Sequence, residues 1–473
     1  MEQQDFSDIV SSHPALNLVA EMANEKEIEA YVVGGFVRDI LLKRESKDID
    51  FVCRGKGIDL AEALGKKVKR KVTVFKRFKT ANLRYGDWEL EFVGARKESY
   101  REDSRNPIVE DGTIDDDQKR RDFTINALAI SLNKNNLGQL IDPFDGVNDM
   151  AQKVIRTPLE PDVTFSDDPL RMMRAVRFAA QLNFDIEAKT FKAISTNVER
   201  IKIVSQERIT DELNKIVLSP VPSYGFNLLF QSGLLKEIFP EMVRLHGVEK
   251  VKGMGHKDNF YHTLKVLDNV AGVSNDLWLR WAAILHDIAK PATKRFEPGH
   301  GWTFHGHEDK GAWMVPKIFR KLKLPLGPQM EYVKKLVKLH LRPIALVKDN
   351  ITDSAIRRLV FDAGNDVDDL MALCKADVTS KNMERVKRYM QNFDQVLQKI
   401  EDVEARDHIK NFQPPVTGEM IMDYFGVKPS RIVGEIKEEI KEAIMEGNIT
   451  NDYESAFELM KEIGKKKGLD SEQ

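Results

Sequence analysis

Gly34-Gly35-Phe36-Val37-Arg38-Asp39-Ile40-Leu41-Leu42, followed five residues later by Asp48-Ile49-Asp50, is the stretch on which the fold turns. A short apolar strand, Ala30–Val33, leads into the glycine pair, residues 36–42 read as helix, and a second strand opens on Asp48. Side chains at i and i+2 of a strand share a face, so Asp48 and Asp50 project together. Paired oxygen ligands of this kind suit divalent ions. Gly34 and Gly35 at a helix N-terminus let the backbone approach a polyphosphate, with free N–H groups facing it. The ordered combination points to two-metal nucleotidyl transfer, in which one ion assists the attacking 3′-hydroxyl and the other the departing pyrophosphate. Each half alone carries little, because Asp-x-Asp is common on surfaces and Gly-Gly is usually a turn. No G-x-x-x-x-G-K-[ST] occurs, which excludes a P-loop.

Working outward, residues 58–67 read as helix, and residues 72–76 and 88–93 as strands, with Leu90 and Phe92 alternating against Glu89 and Glu91. From about Asp168 the pattern is almost wholly helical. Proline and glycine breaks near residues 158–161, 220–222, 247–255 and 414–415 divide the chain. The expected organisation is an α/β head over residues 1–150, an all-α neck over 151–245, a histidine-rich helical domain over 246–400 and a helical tail over 401–473.

At 473 residues the chain exceeds what one core sustains. No apolar run reaches eighteen residues, so no membrane partner is expected, and residues 1–10 lack a signal-peptide layout. Two distant cysteines, Cys53 and Cys374, fit a reducing, cytoplasmic setting and exclude a disulfide framework. Composition leaves the oligomeric state open. The net charge of −2 conceals segregation: residues 66–79 hold eight Lys/Arg and no acid, residues 317–342 are nearly as basic, and acids gather at 110–117 and 401–407. Basic stripes of this kind engage phosphate backbones locally.

Residues 34–51 resemble the head motif of the class II nucleotidyltransferases, the family of CCA-adding enzymes and bacterial poly(A) polymerases within the polymerase-β-like superfamily. Arg120-Arg121-Asp122-Phe123-Thr124-Ile125-Asn126-Ala127-Leu128 resembles the family's second motif, and Asp142-Pro143-Phe144-Asp145-Gly146 its head–neck joint. The resemblance implies a polymerase-β-like head with two Mg²⁺ ions on Asp48 and Asp50. It also implies nucleotide contacts from Gly34, Gly35, Arg38, Arg121, Asp122 and Asn126. Glu91 falls where the superfamily often places a third acid, although an edge-strand Glu is ordinarily just solvated.

Asp167-Asp168-Pro169-Leu170-Arg171 is expected to open a helix on which Arg171, Arg174 and Arg177 form a basic ridge. An Asp before Pro at a helix start is by default a cap. Class II enzymes carry Glu-Asp-x-x-Arg here, and the resemblance makes Asp168 and Arg171 the pair that reads the incoming base. A carboxylate accepts from the exocyclic amine of cytosine or adenine, and a guanidinium donates to their acceptors. Asp167 stands where the family usually has the longer Glu. Gln206-Glu207-Arg208-Ile209 is similar to the neck motif that supports this helix.

Six of ten histidines fall between His256 and His307. The order His262, His286-Asp287, His307, His340, Asp377 looks like the HD phosphohydrolase superfamily. It implies a transition metal or Mg²⁺ on His262, His286, Asp287 and Asp377, with His307 and His340 available to a second ion. Burying the His286-Asp287 pair on an apolar helix without a partner would be costly. Residues 416–422, 434–437 and 446–451 resemble tail helices that grip tRNA.

The function the resemblance implies is addition of C, C and A to a tRNA 3′ end from CTP and ATP. An A-only enzyme and a poly(A) polymerase share the same catalytic residues. Lys76-Arg77-Phe78-Lys79-Thr80-Ala81 reads as the CCA-like rather than the poly(A)-like strand. The polar stretch 96–118 supplies the loop that CC-only enzymes lack. A reading of another class, a phosphohydrolase with a vestigial head, is opposed by the intact Asp48, Asp50, Arg121 and Arg171.

Overall fold

The structure, a computed structural model, describes residues 5–55, 57–76, 79–101, 104–251, 254–346, 352–380, 382–407, 409 and 415–469. Arg77, Phe78 and Pro414 lie outside them. The chain divides into two compact units, Met1–Pro240 and Glu241–Gln473.

The first unit holds a seven-stranded sheet of β1 (Ala30–Val33), β2 (Asp48–Cys53), β3 (Val72–Phe75), β4 (Thr80–Tyr85), β5 (Trp88–Gly94), β8 (Ala129–Ser131) and β9 (Leu140–Ile141), in spatial order β3-β4-β5-β2-β1-β8-β9. Between β5 and β8, strands β6 (Arg96–Arg101) and β7 (Ser104–Asp111) pair as a separate hairpin, so the stretch expected as a loop carries regular structure. β2 is central, antiparallel to β1 and parallel to β5. Its buried part, Ile49 and Phe51 to Cys53, anchors it in the core, where Phe51 stacks on Phe92 of β5 at 5.0 Å between ring centroids. The strand's polar start, Asp48 to Asp50, is thereby held at one end of the sheet beside Gly34. β4, β8 and β9 were not expected from the sequence; β8 and β9, of three and two residues, are too short to show a period, whereas β4 alternates polar and apolar across its six residues and was open to reading.

The neck follows as helices Pro161–Asp167, Leu170–Leu182 and Gln206–Val217, with one parallel ladder of Val154–Ile155 on Asp185–Ile186. Leu170–Leu182 buries Met172, Met173, Val176 and Ala179, the apolar stripe that packs it into the neck. The expected single helix start is split here. Asp167 ends one helix, Asp168 is extended, and the next helix begins at Leu170.

In the second unit, helices Asn259–Ala271, Leu277–Leu285, His307–Lys321, Pro328–Leu339 and Val367–Asp377 surround the histidine cluster. Two small antiparallel ladders, Lys250–Val251 with Met254–Gly255 and Arg295–Glu297 with Gly301–Thr303, interrupt the all-α pattern expected here. Met383–Asp407 is one continuous helix across residue 400, and Gly418–Phe425, Arg431–Glu446 and Tyr453–Lys466 follow it. No helix among the described residues is long and apolar enough to cross a membrane.

Candidate active site and metal centre

The β2–β5 register places Asp48 opposite Glu89 and Asp50 opposite Glu91. Glu91 therefore sits on an interior strand beside Asp50, not on the edge strand expected for it. Asp50 and Glu91 line a cavity of about 330 Å³ together with Arg96, Arg120, Arg121, Asp122, Asp168, Arg171, Arg174 and Arg208. Burial raises the Asp50 carboxyl; Asp48 and Asp117 add to this while Arg121 and Arg174 oppose it. Burial and then Asp50 likewise raise Glu91. Neighbouring carboxylates that repel one another in a polar cavity suit divalent cations. Asp48 itself is exposed at the strand start.

Gly34 adopts φ +75°, and a Cβ there would come within 2.7 Å of Arg121 and 3.7 Å of Asp50. The positive φ favours glycine, and the absent side chain leaves the space that the Arg121 guanidinium occupies. Arg38 is buried and donates to Asn126 at 2.8 Å as well as pairing with Asp39 at 2.9 Å. Asn126 donates to Asp122 at 3.0 Å, and Arg174 donates to the other Asp122 oxygen at 2.7 Å. Burial pushes Asp122 up, but Arg174 and Asn126 outweigh it and hold the carboxyl at about 2. Arg38, Asn126, Asp122 and Arg174 thus form one hydrogen-bonded chain from the first head motif to the neck helix.

Asp168 accepts from the Leu170 N–H at 3.2 Å, so the capping expected of an Asp-Pro start is present and its carboxylate also lines the cavity. Arg171 donates to the Arg120 carbonyl at 2.6 Å. Arg177, expected on the same ridge, turns away: it is buried against Glu212 at 3.0 Å, lies 4.1 Å over Phe178, and is not among the cavity-lining residues. Three-residue spacing rotates successive side chains around the helix, and the third meets the Gln206–Val217 helix instead of the head. Sequence reading also passed over Asp117, fully buried between Arg120 and Arg121.

The second cluster is closed and preorganised. Asp258 caps the Asn259–Ala271 helix, which places His262 within its first turns. His286 caps the C-terminus of Leu277–Leu285 and follows the helix it was expected to sit on. The Nδ1 atoms of His286, His307 and His340 lie 2.8, 2.8 and 2.7 Å from the carbonyls of Ala283, Phe304 and Val337. A carbonyl only accepts, so each Nδ1 carries a proton, and in the neutral ring each Nε2 has its lone pair left for a ligand. His262 Nδ1 is held by Thr379 at 2.9 Å. The Nε2 atoms converge on two acids: His262 is 2.8 Å from Asp377, His286 is 3.3 Å from Asp287, and His307 is 3.3 Å from the other Asp287 oxygen.

Two features show that the residues fit a metal. His286 Nε2 is buried with no hydrogen-bond partner. His307 and His340 point their Nε2 lone pairs at each other across 3.3 Å, an opposition that a cation would relieve. Ligand atoms of His262, His286 and Asp287, and of Asp287, His307 and His340, lie within 4.8 Å of one another. Burial holds His340 down at about 4, which keeps it neutral for ligation. At His286 burial lowers the pKa, but Asp287 and Asp377 outweigh it and raise it, a field that favours positive charge. Lys290 pairs with Asp287 at 2.6 Å. A cavity of about 900 Å³ opens onto His262 and Asp377 past Lys257, Lys265, Thr379 and Arg385.

A sheet-borne carboxylate pair under a glycine turn, faced by a neck helix, defines a nucleotidyltransferase head; the histidine cluster defines an HD-type metal domain. The comparisons agree. Residues 30–156 match the poly A polymerase head domain, 183–245 an RNA- and SrmB-binding region of polymerase A, 259–377 the HD domain and 329–460 a tRNA nucleotidyltransferase domain 2. The A-adding tRNA nucleotidyltransferase of Deinococcus radiodurans is 33% identical over 68% of this chain and 73% of its own length. The multifunctional CCA protein of Nitrosococcus oceani is 34% identical over 64% and 72%. The A-adding tRNA nucleotidyltransferase of Aquifex aeolicus is 44% identical over 39% of this chain, which spans only 23% of that protein. The Thermotoga maritima CCA-adding enzyme complexed with tRNA shares the fold, with TM-score 0.62 at 23% identity over 98% of this chain and 100% of its own. The chain belongs to the class II tRNA nucleotidyltransferase and poly(A) polymerase family, whose head and HD domains use divalent metal ions.

Proposed function

We propose that the chain adds C, C and A to the 3′ end of tRNA from CTP and ATP, in the cytoplasm. The observation that carries this reading is the head cavity, where Asp50, Glu91 and Arg121 stand across from Asp168, Arg171 and Arg174. Asp48 and Asp50, with Glu91 beside them, would hold two Mg²⁺ ions. Bound there, the ions supply Lewis acidity to the 3′-hydroxyl and to the leaving pyrophosphate. Gly34 and Gly35 leave room for the triphosphate, and Arg121 neutralises it. The chain Arg38–Asn126–Asp122–Arg174 fixes Arg174 toward the nucleotide, while Asp168 and Arg171 select the exocyclic amine and ring acceptors of C or A.

Relatives named CCA-adding enzyme and multifunctional CCA protein support full CCA addition, as do solved structures of CCA-adding enzymes with ATP and with CTP. A second reading, A-only addition, is favoured by the names of the Aquifex and Deinococcus relatives. The deciding experiment offers purified protein tRNAs ending before the first C, after one C and after both, with each nucleotide in turn. Stepwise C, C and A incorporation is expected; ATP incorporation on the last substrate alone would establish the A-only reading.

For the second unit the reading is a phosphohydrolase centre on His262, His286, Asp287 and Asp377, with His307 and His340 joining Asp287 around a second ion. A transition metal there would supply Lewis acidity toward a phosphoester. Elemental analysis of the purified protein tests it, two equivalents per chain being expected when the metal is supplied.

A further inference from the structure

Asp117 lies outside every residue assigned above. It stands on the helix Ile114–Lys119, whose start is fixed by a reciprocal Thr113–Asp116 capping box. Its carboxylate is fully buried, yet it receives two arginines: Arg121 through Nε at 3.0 Å and its terminal nitrogen at 2.9 Å, and Arg120 through Nε at 3.0 Å. Burial raises its pKa, but Arg121 and Arg120 outweigh burial and keep the carboxyl ionised. Both arginines line the head cavity. The remaining Arg121 nitrogen lies over Gly34, 3.4 Å from the Asn126 carbonyl. The Arg120 carbonyl accepts from Arg171 at 2.6 Å.

A buried ion cluster is a poor way to gain stability, since well-packed apolar groups usually do as well. What it supplies is geometry, because two guanidiniums anchored on one carboxylate cannot shift independently. We propose that Asp117 is a positioning residue for nucleotidyl transfer. It sets Arg121 over the glycine turn beside Asp50 and, through the Arg120 carbonyl, sets Arg171 beside Asp168. One buried acid thereby ties the phosphate cradle to the base-reading pair. The backbone of the helix that carries it also runs close to β6, so β6 and the cavity share this anchor. The proposal rests on the nucleotidyl-transfer reading of the head.

The test compares Asp117→Asn, a neutral isostere, with Asp117→Glu, which keeps the charge on a longer arm. Steady-state kinetics are measured on tRNA lacking its last A, below the melting temperature of each variant. Asp117→Glu should fold with a melting temperature lowered by a few degrees, roughly what one extra methylene in a buried site costs, while its nucleotide KM should rise and its kcat fall by on the order of tenfold to a hundredfold, as displaced reacting groups do. The KM for tRNA should stay within about twofold. Asp117→Asn should show the same kinetic loss with a lower melting temperature; if it does not fold, the Glu variant carries the test. Wild-type kinetics in a folded Glu variant, or parallel loss of tRNA and nucleotide affinity, would overturn the positioning role. If wild-type protein extends no tRNA, the function reading fails instead, so the two failures are distinct.

Discussion

The HD cluster and the head cavity arrange their metal-ligating groups by opposite plans. In the HD cluster, His286, His307 and His340 are each fixed by their own i−3 carbonyl, and Asp287 lies between them, 1% exposed. Its ligand atoms already lie within 4.8 Å of one another. At the head, no three such atoms come that close among the described residues, and Asp48 faces solvent. A preorganised set of ligands suits an ion without further help, whereas a sparser set of acids needs further oxygens. Under the proposed function a triphosphate would bring those oxygens, which would couple metal binding at the head to nucleotide binding. The difference follows from the scaffold: histidines at helix ends are held by the carbonyl three residues back, while the acids on β2 and β5 face one another among the cavity arginines.

The largest effect that would break this contrast is Asp50→Ala. Incorporation should fall on the order of a thousandfold, the equivalent of several kcal/mol of charge stabilisation, with HD metal content unchanged. Loss of metal from both sites would show that they are not independent. Acid should act next. Asp122 has its pKa lowered to about 2, so its stabilisation is fully present above the unfolded value of about 4 and is lost as pH falls through about 2, roughly 2–3 kcal/mol in all. Thermal melts between these pH values should show the loss, and Asp122→Asn should flatten it. Asp168→Ala should then relax base choice by about 1–3 kcal/mol, read as UTP or GTP incorporation, while leaving the HD cluster untouched. The smallest effect is expected from Thr379→Ala. It frees His262 Nδ1 and should weaken HD metal affinity about tenfold without altering nucleotide addition.

The head was readable because its chemistry is local in sequence. Asp48 and Asp50 share a face by strand geometry alone, and the glycine turn precedes them by sixteen residues or fewer. Glu91 was misjudged because edge or interior position depends on which strands pair, and β5 lies between β4 and β2 only after the sheet assembles. Arg177 was misjudged for a related reason: regular spacing gives an angle around a helix but not the neighbour at that angle, which is Glu212. Asp117 left no signal because an acid among Asp115, Asp116 and Asp117 looks like a solvated first turn.

By itself the sequence determined which chemistries are present: paired carboxylates after a glycine turn, an Asp–Arg pair at a helix start, and histidines spaced along helices. Those depend on backbone periodicity, which each segment carries alone. Only the tertiary structure decided which of these groups meet. It set Glu91 beside Asp50, bound Arg38 to Arg174 through Asn126 and Asp122, and buried Asp117 under two arginines. Long-range partners are chosen by packing of the whole core, and no short stretch of chain contains that information.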